Sequence, residues 1–216
     1  MIDRIKKGWE KYRLNRSIND EKKMHFEFSG IFKHNKKLQK HTAALERISK
    51  DLNDLFYEIP ENTDMECLFV SCLTLRIRDY YEGILFLISL RIYQSTIPLS
   101  RALCESLFLL KYVKTHPEYM NELMSKNERL LHITKIKTDV DDVKLNNLYS
   151  SLSNLMHINP QGVKFTYYQM PFDEEQVIIS QIPLDYQRYD EFILRSIITM
   201  MTESIEILKE IKNSAK

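Results

Sequence analysis

The stretch Pro98-Leu99-Ser100-Arg101-Ala102-Leu103-Cys104-Glu105-Ser106-Leu107-Phe108-Leu109-Leu110 decides the fold class. It reads as a helix. Its only formal charges are Arg101 and Glu105, set in an otherwise apolar surround. Four residues is one helical turn, so both side chains lie on one face. Charges are costly to bury unless they are paired or used. The segment is therefore expected to be a central helix with a polar centre on one side and a helical shell around it.

The composition agrees with a helical shell. The chain has 216 residues, of which 44% are hydrophobic and 28% charged, as in ordinary globular domains. It holds only 4 Gly and 6 Pro, too few breakers for a many-turned β fold. The net charge of +1 gives no global field that would favour nucleic acid. The charge is nevertheless uneven. Residues 1–50 carry 14 Lys and Arg against 6 Asp and Glu, and the remainder carries 17 against 24. A basic N-terminal part is either a surface for nucleic acid or an acidic partner, or a solvated helix face.

Upstream, Ile2, Ile5, Trp9 and Tyr12 recur at near-helical spacing among Lys and Arg. This predicts a short basic amphipathic helix over 2–16, packed on the body or lying on a membrane surface. A second helix is expected from Asn19 or Asp20 to about Glu58, with a break at Ser29-Gly30. Its stripe is Leu38, Leu45, Leu52, Leu55 and Phe56. His25, His34 and His41 stand nine and seven residues apart, not at the spacing of metal ligands on one helix face, and read as surface residues. Pro60 to Asp64 starts a helix to about Tyr93 that is apolar on most of its circumference. Within it, Arg78 and Glu82 are spaced to pair, and Arg76 shares a face with Tyr80.

Ser95 or Thr96 is placed to cap the helix quoted above, expected over 96–115 and ended by His116-Pro117. Another helix is predicted over 118–132. Thr138 to Asp142 is an acidic start for a helix to His157, with Val143, Leu145, Leu148, Leu152, Leu155 and Met156 apolar. Asn159-Pro160-Gln161-Gly162 stops it. Residues 163–183 are rich in β-branched and aromatic residues and predict a small hairpin or irregular insertion. A last helix runs from Leu184 or Asp185 to about Lys212, burying Phe192, Leu194, Ile197, Ile198, Met201, Ile205 and Leu208. The fold class is thus all-α, a bundle of five to seven helices. Residues 1–60 form basic helices packed on a body formed by 61–216, in one structural unit.

No Walker loop, GxGxxG, HExxH, zinc spacing or nucleophile elbow occurs, so neither cofactor nor metal is expected. Cys67, Cys72 and Cys104 sit in apolar helical stretches without a CxxC and read as core residues. The opening residues lack a signal-peptide apolar run, and no apolar run is long enough to span a bilayer. A cytoplasmic protein without a membrane role is expected. The candidate chemistry lies in Arg101, Glu105 and the segment Tyr149 to His157. Tyr149, Ser153 and His157 are each four residues apart and share a helix face. A histidine at a helix C-terminus can serve as acid or base near neutral pH. An arginine opposite it can hold a phosphate by two parallel hydrogen bonds. The structural alternative is that Arg101 and Glu105 simply pair and His157 caps its own helix.

The segments SRALCESLFLLKYVKTHPE (100–118) and LYSSLSNLMHINPQG (148–162) resemble a bacterial family of unknown function. Its hallmark is an Arg-x-x-x-Glu helix followed by a Tyr-x-x-x-Ser-x-x-x-His segment and a Pro or Gly turn. That family is similar to the HEPN superfamily of helical domains, found in toxins, phage-exclusion systems and RNA-processing proteins. The resemblance covers roughly residues 65–162. It implies a HEPN-like bundle and a possible metal-independent endoribonuclease of a defence or toxin system. It marks His157 as acid or base, Arg101 as phosphate ligand, Glu105 and Ser153 as orienting residues, and Tyr149 as substrate-binding. Asn154 and Arg76 are added as candidate substrate contacts. It also implies a homodimer, RNA as substrate and an antitoxin or defence-system partner. The chain departs from the family of active ribonucleases at one point. Where those carry an arginine shortly before the histidine, this chain has Leu152, Ser151 and Ser150. Arg101 is then the residue that would supply the cation from the neighbouring helix. The alternative function is a non-catalytic helical module binding nucleic acid or a partner protein through the basic N-terminal region.

Overall fold

The computed structural model describes residues 39–57, 65–89, 95–125, 132–156 and 186–214. Among the described residues there are seven α-helices and no strand. They are α1 (Thr42–Tyr57), α2 (Met65–Ser89), α3 (Thr96–Thr115), α4 (Glu118–Ser125), α5 (Ile133–Val140), α6 (Val143–Met156) and α7 (Tyr186–Ser214). The chain is all-α, as its scarcity of Gly and Pro predicts. The expected helix at 2–16, the break at Ser29-Gly30, the start at Pro60 to Asp64 and the insertion at 163–183 lie outside the described residues.

The quoted segment forms the middle of α3, and α3 is the hub. It packs against α2, α4, α5, α6 and α7. Leu103, Cys104, Leu107, Phe108 and Leu110 on α3 are all fully buried or nearly so. Helix α2 crosses α3 closely at Gly83, where an added β-carbon would sit 3.1 Å from Leu99 Cδ1. Helix α7 lies on α1, α2 and α3, and its buried stripe runs through Ile193, Leu194, Ile197, Met201, Ile205 and Leu208. Phe192, expected in that stripe, is 38% exposed because it falls one residue outside the buried row. Leu45, Ile48, Leu52 and Leu55 of α1 join the same core.

Three boundaries differ from the sequence reading. Lys40 and His41 form a turn before α1, so the second helix is not continuous through them. His41 is half-buried there, not a surface residue, and its Nε2 is buried without a partner among the described residues. Desolvation, then Lys40, pushes its pKa below the ordinary histidine value. At α3, Ser95 occupies the N-cap position but its side chain makes no cap hydrogen bond. Its backbone is itself helical, so its hydroxyl does not face the first free N–H groups as a capping residue's does.

The third difference matters most for the site. Of the helix expected over 118–132, α4 covers Glu118–Ser125 and residues 126–131 lie outside the described residues; a further helix, α5, follows over Ile133–Val140. Helix α5 ends on Asp141 in the left-handed conformation, φ 46°. Asp142 then caps α6, its Oδ1 accepting the Leu145 N–H at 2.9 Å. Thr138 therefore belongs to α5, and only Asp142 starts the next helix. Val143, one of the apolar residues of this helix, is 67% exposed in its first turn.

Asp142 also pairs with Lys111 of α3, and Lys111 reaches Glu203 of α7 as well. One ammonium thus ties α3 to both neighbours. Desolvation alone would raise the Asp142 carboxyl; the Leu145 N–H and the Lys111 ammonium outweigh it and hold the carboxyl below its usual range. Desolvation likewise opposes the charge on Lys111, and the two carboxylates outweigh it, so Lys111 titrates above the usual lysine range. A depressed carboxyl contributes stability above its unfolded pKa and loses it as pH falls through the folded value. A raised lysine contributes stability below its unfolded pKa and loses it as pH rises through the folded value. The junction is therefore tightest between the carboxylate and lysine ranges. We predict that Asp142→Asn flattens the acid limb of the stability-against-pH curve, measured by urea unfolding from about pH 3 to 7. Leu103→Ala, which opens a cavity at the centre of α3, should cost about 2–5 kcal/mol in the same assay at neutral pH.

Candidate functional site

Helices α3 and α6 pack together, and the two halves of the sequence motif meet at their contact. Arg101 and Glu105 project from α3 toward Tyr149 of α6. The Tyr149 hydroxyl accepts a hydrogen bond from Arg101 Nη2 at 2.6 Å and donates one to Glu105 Oε1 at 3.0 Å. Arg101 Nε lies 3.3 Å from the same carboxylate oxygen. That approach is an ion pair without hydrogen-bond alignment, since Nε is buried and makes no hydrogen bond. The result is a closed ring of three side chains from two helices. Arg101 and Glu105 keep 27% and 38% of their side-chain surface exposed, whereas Tyr149 is buried. The ring therefore sits at the rim of the core with its charges toward solvent.

The aromatic ring of Tyr149 is a second meeting point. Phe108 meets it edge-on, centroids 6.1 Å apart at 79°. Arg101 Cζ stands 4.9 Å from its centroid and Lys137 Nζ of α5 stands 4.1 Å from it. An ammonium at that distance is attracted by the ring quadrupole. Lys137 was not among the residues singled out from the sequence. Its signal was present, because Ile133, Ile136 and Val140 recur at helical spacing.

Burial pushes the Tyr149 phenol above the ordinary tyrosine range; the Arg101 hydrogen bond opposes this and Glu105 reinforces it. Next to the ring, Cys104 is buried, its Sγ 3.9 Å from the Leu145 carbonyl. Burial first, then Glu105, pushes its thiol up to about 12. Such a thiol is inert and fills space.

The other candidates fall as follows. Ser153 lies one turn beyond Tyr149 on α6, half-buried, and its Oγ is buried with no hydrogen-bond partner among the described residues. Asn154 is exposed on α6. Met156, the last residue of α6, brings Sδ to 3.8 Å from Arg101 Nη1. His157 follows it and lies outside the described residues. Arg76 is on α2, exposed, donating to the Tyr80 hydroxyl at 2.7 Å with its guanidinium 5.6 Å from that ring. That arrangement lies within α2, apart from the ring around Tyr149. Arg78 and Glu82 form the ion pair that their spacing suggested. Among the described residues no group of three His, Cys, Asp or Glu is placed to hold a metal ion. No described helix is long and apolar enough to cross a membrane.

Comparison with known proteins gives no match: no family model, no curated protein and no solved structure matches the chain.

Tyr149→Phe keeps the aromatic contacts and deletes the hydroxyl on which Arg101 and Glu105 converge. It should cost about 1–2 kcal/mol in chemical unfolding, the scale of a hydrogen bond to a charged group at a half-exposed site. Glu105→Gln should lower the Tyr149 phenol pKa, read by NMR on ring-labelled tyrosine, because the carboxylate is one of the groups that raise it.

Proposed function

We propose that this protein is a HEPN-like RNA-acting protein of a bacterial defence or toxin system, in which Arg101 holds an RNA phosphodiester and His157 is the acid–base group. The observation that carries the reading is the meeting of Arg101 and Glu105 with Tyr149, which joins the two motif halves at one place. Packing of α3 on α6 is what a shared site needs. Met156 touching Arg101 brings the end of α6 to the same guanidinium. In this reading Glu105 and Tyr149 hold Arg101 in one rotamer, leaving its exposed edge for a phosphate. Ser153, whose hydroxyl is buried and has no partner among the described residues, helps orient the pair Arg101 and His157 in this reading. The cation that active HEPN ribonucleases carry on the histidine's own helix is supplied here from α3. A homodimer and an antitoxin or defence-system partner follow from the resemblance and belong to the same proposal.

A second reading has its own support. Nη2 and Nε of Arg101 already face Tyr149 and Glu105, which suits a structural tie as well as a ligand. Residues 1–50 carry most of the positive excess. The protein would then bind nucleic acid or an acidic partner through that region, without catalysis.

Degradation of single-stranded RNA by the purified chain, with Arg101→Ala and His157→Ala alongside, separates the two. The catalytic reading expects cleavage that falls by about 100-fold or more in His157→Ala, the scale of a lost acid–base group. Equal activity in both variants overturns the site assignment. Without cleavage, RNA binding that weakens on Lys33, Lys36 and Lys37→Gln supports the binding module. Truncation at residue 50 is the wrong test, since it would strip Leu45 and Ile48 from the core.

A further inference from the structure

Around the Tyr149 ring the charges do not balance among the described residues. Two cations, Arg101 and Lys137, stand over one aromatic ring. Two carboxylates are close enough to influence Cys104 beside it, Glu105 and Asp142. Glu105 is committed to Arg101 and to the Tyr149 hydroxyl. Asp142 is committed to Lys111 and to the Leu145 N–H at the start of α6. Lys137 itself forms no ion pair with a carboxylate among the described residues. Its contacts are the Tyr149 ring and, at 6.0 Å, the Phe108 ring. A cation–π contact holds an ammonium in place without neutralising it. Lys137 also sits in the last turn of α5, where its backbone carbonyl accepts the Asp141 N–H.

We propose that Lys137 and Arg101 form a two-cation clamp for a phosphate-bearing anion, with the Tyr149 ring as the spacer that fixes both. The clamp rests on the RNA reading for its natural ligand and extends it with a residue on a third helix, α5. The two cations differ in kind. Arg101 offers a planar fork already oriented by Tyr149 and Glu105, suited to two phosphate oxygens. Lys137 offers a compact ammonium with three donors, suited to a second oxygen or the adjacent phosphate. The site therefore selects ligands with two neighbouring phosphate charges over a single carboxylate.

The full chain is titrated with inorganic pyrophosphate by calorimetry and with a fluorescent single-stranded RNA by anisotropy over a range of salt. The variants are Lys137→Gln, Lys137→Arg and, as a control, Lys135→Gln, which removes an exposed lysine two residues away on the same helix. The clamp expects Lys137→Gln to weaken pyrophosphate about tenfold, the scale of one lost charge-assisted hydrogen bond. Lys137→Arg should retain most of the affinity and Lys135→Gln all of it. With RNA, Lys137→Gln should also shallow the salt slope by about one phosphate contact. Pyrophosphate affinity that is equal in Lys137→Gln and wild type, or absent in both, overturns the clamp whatever RNA does. Pyrophosphate binding that depends on Lys137, without any RNA binding, upholds the clamp and removes RNA as its ligand, so the two failures are distinct.

Discussion

The burial of α3 is the constraint from which the rest of the structure follows. A helix that touches five others must be apolar over most of its surface, and Leu103, Cys104, Leu107, Phe108 and Leu110 supply that surface. A charge on such a helix has two outlets: a partner, or a strip of solvent. Arg101 and Glu105 use both. Their i,i+4 spacing pairs them, and the rim between α3 and α6 leaves about a third of each side chain open. Lys111, further along α3, has the same problem and solves it with two carboxylates from two other helices. Two of the polar clusters among the described residues, around Arg101 and around Lys111, are therefore anchored on this one helix.

Tyr149 turns the rim into a site. Its ring is core and its hydroxyl is not, so one side chain can be held by packing and still organise charges. Phe108 fixes the ring edge-on, and the hydroxyl then has one direction in which to accept from Arg101 and donate to Glu105. An arginine on a free surface samples many rotamers. Here its guanidinium is held by Tyr149 and Glu105, and in the proposed reading that reduces the ordering cost of binding an anion. The same rigidity serves a purely structural tie equally well. The proposed ligand reading leans on Lys137, a second cation placed on the same ring that forms no ion pair among the described residues.

Much of this was legible in the sequence. The all-α class follows from the scarcity of Gly and Pro, and the Arg101–Glu105 and Arg78–Glu82 pairs follow from spacing alone. Local periodicity also placed Tyr149 and Ser153 on one face of α6. That this face meets Arg101 is a tertiary fact, and no single-helix pattern contains it. Phe192 was misplaced for a related reason. Periodicity shows that a helix has an apolar side but fixes its edges only to within a residue. Ser95 illustrates a different limit. A capping residue type does not guarantee a capping conformation, and Ser95 adopts a helical one.

The least legible element is the one that completes the polar cluster. Helix α5 is eight residues long, below the length at which isolated helices hold together, and only Ile136 of its side chains is fully buried. For α5 the sequence reading assigns no element to 133–137 and takes Thr138 to Asp142 as a helix start. Two local devices make it a helix. His132 accepts the Thr134 N–H at its start, and Asp141 takes the left-handed conformation at its end. Asp141 tolerates that conformation better than most residues because its short side chain can bond locally. The turn it makes lets Asp142 begin α6 one residue later, with Tyr149 two turns beyond. Asp141 thus forms the junction between the helix that carries Lys137 and the helix that carries Tyr149, its N–H bonded to the Lys137 carbonyl.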